Sequence, residues 1–158
     1  MRWIWIDRIT HLDSGKSAKA IKCLSLAEDH FTHHFPGYPV MPACFVLEGL
    51  AQTGGILVGE VSGFREKVVL AKVNRAVFHR EMYPGEVLHY EAQITNMRQE
   101  GASVDARVTV HDQLTVEAEI FFAFLDQSRS QEIFGEENFV FTGEFRYLLQ
   151  RMARAKKE

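Results

Sequence analysis

Hydrophobic positions along the chain follow two periods, a helical block set among strand-like ones. From Ala43 to about Val61, apolar residues fall on nearly every side of a helix: Phe45, Val46, Leu47, Leu50, Ala51, Ile56, Leu57 and Val58. A helix that is apolar all round is enclosed by the rest of its domain. Pro42 suits the first turn, where a missing N–H costs nothing. Ser62-Gly63 ends it. Gly49, Gly54, Gly55 and Gly59 weaken helix propensity, but they let neighbours come close, as a wrapped helix requires.

Beyond the helix the period becomes two. Val68 to Phe78 reads as a strand with a polar interruption at Asn74-Arg75, and Pro84-Gly85 as a turn. Leu88, Tyr90, Ala92 and Ile94 alternate with polar residues. After a turn at Glu100-Gly101, Val104, Ala106, Val108 and Val110 do the same. After another at His111-Asp112-Gln113, the apolar face of the last strand is Leu114, Val116, Ala118, Ile120, Phe122 and Phe124. Three half-buried strands joined by short turns make an antiparallel meander. Ahead of the helix, Trp3-Ile4-Trp5-Ile6 reads as a short strand covered on both faces, Asp13 to Lys16 as a turn, and Ser17 to Leu26 as a second strand. Glu28 to His33 is a polar lead-in. The class is α+β: one long central helix wrapped by a curved antiparallel sheet.

Residues 1–127 form this domain, and residues 128–158 are expected to be a linker and a C-terminal amphipathic helix. Phe141, Phe145, Leu148 and Met152 share one face of that helix, and Arg151, Arg154, Lys156 and Lys157 sit at its C-terminal end, where cations suit the dipole. It is expected to dock on its own domain, or else to contact a partner protein.

Composition narrows the function. The 158 residues are 46% hydrophobic and 25% charged, with a formal net charge of -3 and no block of lysines or arginines until the last few residues. That argues against a nucleic-acid partner. Cys23 and Cys44 make neither a disulfide framework nor a zinc pattern, so a reduced, cytoplasmic setting is expected. Asp7 and Arg8 interrupt the early apolar run, so it does not read as a signal peptide. Glu48 and Glu60 bracket the apolar helical segment too closely for a membrane span. His30, His33 and His34 lack the cysteines or carboxylates that would complete a metal site.

The chemistry concentrates between His34 and Gln52. Pro36-Gly37 and Pro39 stiffen the loop around Tyr38 and can hold His34 at a fixed point. Histidine exchanges protons near neutral pH. Glu48 lies in the second turn of the helix, where burial favours the protonated form of a carboxyl group and suits a proton donor. Gln52 follows at i+4, placed to orient Glu48. The backbone N–H groups of Ala43 and Cys44 open the helix and offer an oxyanion site. Cys44 itself is expected to be buried and inert. Tyr38, Phe45 and Phe78 are packing residues or the lining of a tunnel for a long apolar substrate. A base, an acid and an oxyanion holder suit proton abstraction next to a carbonyl, with loss of a β-hydroxyl group.

His34-Phe35-Pro36-Gly37-Tyr38-Pro39-Val40-Met41-Pro42, followed by Leu47-Glu48-Gly49-Leu50-Ala51-Gln52, closely resembles the β-hydroxyacyl-(acyl carrier protein) dehydratases of fatty acid synthesis, of the FabZ type. Asp7-Arg8 and the run from Ala71-Lys72-Val73 to Pro84-Gly85-Glu86 extend the likeness over roughly residues 4 to 125. The resemblance implies a hotdog fold, dimers or trimers of dimers, and no cofactor or metal. It implies catalytic roles for His34 and for Glu48 of the other protomer, with substrates delivered on acyl carrier protein. Ala43 stands where the family usually has glycine, and His33 also departs from the usual glycine before the histidine. Two other readings stand beside this one: a hotdog acyl thioesterase, and a non-catalytic acyl-carrier-binding subunit that uses the C-terminal helix as its contact.

Overall fold

A computed structural model describes residues 3–125 and 147–150. The chain runs β1 (Arg8–Asp13), β2 (Ser17–Cys23), α1 (Asp29–His33), α2 (Ala43–Val61), β3 (Lys67–Phe78), β4 (Val87–Arg98), β5 (Gly101–Val110) and β6 (Gln113–Leu125). All six strands pair antiparallel in one sheet of order β1-β2-β4-β5-β6-β3. The β4-β5-β6 meander therefore lies where the alternation placed it. The helix α2 spans the predicted residues and makes contacts with every strand.

The sheet curls around α2 because both bury apolar faces against each other. Val46, Leu50, Ile56, Leu57 and Val58 of the helix are buried with Leu88, Tyr90, Val104, Val108, Val116 and Ile120 of the sheet. By length and composition α2 could cross a membrane, but 67% of it is buried inside the fold, as in an enclosed core helix.

Four expectations are corrected. Trp3 to Ile6 is not a strand: β1 starts at Arg8, although Trp5 and Ile6 are buried as their hydrophobicity implied. Glu28 to His33 is not a plain lead-in, because Asp29–His33 forms the short helix α1. Five residues hold too little periodicity to reveal a helix. Leu114 does not join the buried face of β6: a register shift against β5 between Val108 and Thr109 buries Thr115 and leaves Leu114 45% exposed. The extra residue of a bulge reverses the in–out alternation. Finally, Cys44 is exposed, as is Cys23.

The strand β3 forms one edge of the sheet, with Leu70 and Phe78 exposed along it. Its register shifts twice against β6, the second time between Val73 and Arg75, where the polar interruption lay. The expected linker and most of the C-terminal helix lie outside the described residues. Residues 147–150 are helical, Leu148 is buried and Leu149 packs against the core, consistent with docking on the chain's own domain.

Glycine decides how closely α2 and the sheet approach. A Cβ at Gly49 would sit 2.6 Å from the ring and hydroxyl of the fully buried Tyr90, and 3.0 Å from the Trp5 carbonyl. Helix propensity alone would reward Gly49→Ala by about 1 kcal/mol. Overpacking costs about 1–3 kcal/mol and outweighs it. Gly49→Ala should therefore lower the calorimetric unfolding midpoint by a few degrees, at about 2–4 °C per kcal/mol for a domain of this size. A raised midpoint would mean that Tyr90 yields without cost.

Candidate active site

The loop carrying His34 is held by its own backbone. The His34 N–H closes α1 on the His30 carbonyl at 3.0 Å, and the His34 carbonyl accepts from the Val40 N–H at 2.9 Å. Phe35 and Tyr38 exchange two backbone hydrogen bonds of 2.9 Å each across Pro36-Gly37, with Gly37 at φ 77°, a conformation glycine adopts without steric cost. The Met41 N–H donates to the Met82 carbonyl at 2.8 Å and joins the loop to the segment before β4. A side-chain clasp does the same: the Tyr38 and Tyr83 hydroxyls both reach Glu81 Oε2, at 2.7 and 2.8 Å. The Tyr38 and then the Tyr83 hydrogen bond hold the Glu81 carboxyl below the usual carboxylate range. His34 is half-buried, its ring stacked on Phe35 with centroids 4.1 Å apart.

The helix α2 starts just beyond this loop. Pro42 is its N-cap and supplies no side-chain acceptor. Among the described residues, the backbone N–H groups of Ala43 and Cys44 have no hydrogen-bond partner. Both residues are exposed, so the positive end of the helix faces outward. Ala43 is the first helical residue and does not have a positive φ, so its backbone needs no glycine.

Glu48 is half-buried and Gln52 is buried. Gln52 Nε2 donates to Glu48 Oε1 at 3.0 Å and to the Trp3 carbonyl at 3.0 Å. Gln52 Oε1 accepts from the Trp5 N–H at 2.8 Å. Beside these bonds lies an aromatic stack: Trp5 on Phe45 at 3.9 Å, with His30 edge-on to Trp5 at 5.4 Å. Burial holds the His30 imidazole below its ordinary value, against an opposing pull from Glu28.

The expected residues are thus partly brought together within one chain. Glu48 and Gln52 are bonded, and Phe45 lies beside them. Among the described residues, no hydrogen bond or ion pair joins His34 to Glu48. Tyr38 points its hydroxyl at Glu81, while Phe78 ends the edge strand at 39% exposure, with no ring contact to Tyr38 or Phe45. His30, His33 and His34 belong to no group of three or more metal-type ligands among the described residues. The sequence points to Trp5 only as a packing residue and to His30 only as an incomplete metal ligand, and it does not single out Glu81 or Tyr83. Their partners are remote in the chain, and only their polarity or aromaticity marks them.

Comparison with known proteins places this geometry. A model of the FabA-like domain family matches residues 3–119. The chain is 40% identical over 128 residues to the 3-hydroxyacyl-(acyl-carrier-protein) dehydratase FabZ of Chloroflexus aggregans, covering 80% of this chain and 89% of that protein. It is 39% identical over 125 residues to the protein of the same name from Listeria welshimeri, covering 78% and 87%. In fold it is similar to the conserved protein PA5202 of Pseudomonas aeruginosa (TM-score 0.63, 19% identity, 75% and 87% covered). It is also similar to a chain of the dehydratase heterocomplex ApeI:P of Xenorhabdus doucetiae (TM-score 0.58, 17% identity, 73% and 96% covered). The fold is the hotdog. The chain belongs to the FabA-like family, among its FabZ-type dehydratases.

His30 generates a test of the aromatic stack. Its imidazole is held below the ordinary value by burial, so the unfolded chain binds this proton first as the pH falls. Its contribution is complete above an unfolded-state pKa of about 6.5 and is lost as pH falls from there through the lower folded value. The unfolding midpoint of the wild type should drop between about pH 7 and pH 5 more steeply than that of His30→Phe. Equal slopes would show that His30 titrates freely.

Proposed function

We propose that this protein dehydrates (3R)-3-hydroxyacyl groups carried on acyl carrier protein to trans-2-enoyl groups, in fatty acid biosynthesis. The observation that carries the reading is the Glu48 carboxyl group held by Gln52 within the helix whose first N–H groups, at Ala43 and Cys44, are unpaired among the described residues. The thioester oxygen sits on those N–H groups, where charge develops as an enolate forms. His34 takes the α-proton as general base, and Glu48 protonates the departing β-hydroxyl group, which leaves as water. The C–H and C–O bonds break, the C=C bond forms, and no redox step or cofactor is called for.

Among the described residues no hydrogen bond or ion pair joins His34 to Glu48 of the same chain, which supports a site built from two copies: His34 from one protomer and Glu48 from its partner. The β3 edge, with its exposed apolar residues, offers the surface for that pairing, because an uncovered edge strand is a template for another chain. We read the assembly as a homodimer that can associate further into a trimer of dimers, in the cytoplasm. Tyr38, Phe45 and Phe78, which the structure of one chain does not bring together, are the residues we assign to receive the acyl chain once the second copy is in place. A thioesterase has no use for the proline- and glycine-stiffened His34 loop, so that reading is set aside.

Hydration of a crotonyl thioester, followed by loss of its ultraviolet band, tests the reaction in reverse. The wild type should hydrate it, and His34→Ala and Glu48→Gln should each lower the rate by about 10²–10⁴. Release of free thiol would instead mean hydrolysis. Mixing the two inactive variants under subunit exchange should restore part of the activity. Proven heterodimers without activity would sink the shared site.

A further inference from the structure

We propose that Trp5 is a positioning residue that holds in place the Glu48 carboxyl group, the start of α2 and the His34 loop of its own chain. The inference rests on the dehydratase reading above and extends it to a residue outside the acid–base motif. Trp5 lies in the segment before β1 and is 3% exposed. Three elements meet on it.

Its backbone serves the acid. The Trp5 N–H donates to Gln52 Oε1 at 2.8 Å, and the carbonyl of neighbouring Trp3 accepts from Gln52 Nε2 at 3.0 Å. The other bond from Nε2 goes to Glu48 Oε1 at 3.0 Å. An amide has one oxygen and two N–H groups, so all are engaged. Turning Gln52 to release Glu48 would therefore break two further hydrogen bonds to the Trp3–Trp5 segment.

Its ring serves the other two parts. The indole lies nearly parallel to Phe45, with centroids 3.9 Å apart and planes at 18°. Phe45 follows Cys44, so the stack bears on the turn whose first N–H groups are unpaired among the described residues. The same indole meets His30 edge-on at 5.4 Å and 68°. His30 in turn receives the His34 N–H on its carbonyl, which ends α1 at the base. The indole Nε1 has no partner among the described residues, so no hydrogen bond of its own accounts for the ring's place. Its flat area does: a smaller aliphatic side chain fills volume but cannot stack on Phe45 and His30 together.

The test compares Trp5→Leu and Trp5→Phe with Val108→Ala, a buried truncation on β5 that carries no site residue. Trp5→Leu should lower kcat for crotonyl thioester hydration about 10- to 100-fold with KM within about threefold, as expected when catalytic groups are displaced without loss of binding. Trp5→Phe should recover most of kcat, because it keeps the stack. Val108→Ala, destabilised to a similar unfolding midpoint, should keep kcat within about threefold of the wild type. A second readout needs no turnover: hydrogen exchange of the Gln52 side-chain amide and the His34 ring resonances, followed by NMR. Both should change in Trp5→Leu and stay near wild type in Val108→Ala. Should Trp5→Leu not fold, Trp5→Met takes its place with the same readouts. Trp5 variants that match the Val108→Ala control in kcat and in the NMR signals overturn the proposal. If the wild type does not hydrate the thioester, the dehydratase reading fails, while the Gln52 and His34 signals still decide the positioning role.

Discussion

Gln52 places a neutral amide in an apolar enclosure, 8% exposed, with its oxygen and its nitrogen both bonded. Leaving any buried polar group unpaired costs about 1–3 kcal/mol. The Trp3–Trp5 segment, α2 and Glu48 are therefore tied to one arrangement, because each alternative strands a donor or an acceptor. An amide suits this place better than a charge, which would need a counter-charge inside the core. The cost of burying one polar side chain becomes the means of orienting another.

The same logic holds α1 in place. Lys22 is almost wholly buried and lies between Asp7, at 3.4 Å, and Glu28. Asp7 Oδ2 also accepts the Cys23 N–H at 2.6 Å, and Glu28 Oε2 accepts the Ser25 N–H at 3.1 Å. Only the lysine of these pairs is buried, so they are weak evidence for stability, but their geometry is specific. Here they join the segment before β1, the end of β2 and the approach to α1, which ends at His34. His34 and Glu48 thus stand on parts of the chain anchored through the same N-terminal stretch. The enclosure of α2 completes the frame: at Gly54 the helix approaches Phe122 so closely that an added Cβ would lie 3.0 Å from its ring.

Much of this was legible in the chain. The bounds of α2, the meander and the polar break in β3 follow from periodicity, since a buried helix and a half-buried strand leave different repeats. The His34 to Gln52 stretch stood out because it combines a proline- and glycine-stiffened loop with a histidine, a helix start and a glutamate. The i+4 bond from Gln52 to Glu48 was legible because helix geometry alone puts them on one face. Trp5 and His30 were not legible as parts of the site, because nothing local links a tryptophan near the start of the chain to a glutamine 47 residues later. Leu114 misled because alternation presumes a regular ladder, and a one-residue bulge is invisible to it.

By itself, then, the sequence determined the elements, the class of fold and the residue types able to move a proton, all consequences of local backbone chemistry and of which faces must be buried. Only the tertiary structure decided that Trp3 and Trp5 close on Gln52, and that Tyr38 is clasped to Glu81 and Tyr83. It alone left the Ala43 and Cys44 N–H groups exposed and unpaired among the described residues. The physical reason is the same in each case. Hydrogen bonds and ring contacts between remote segments depend on how the sheet closes around the helix, and that closure is a property of the whole packed core.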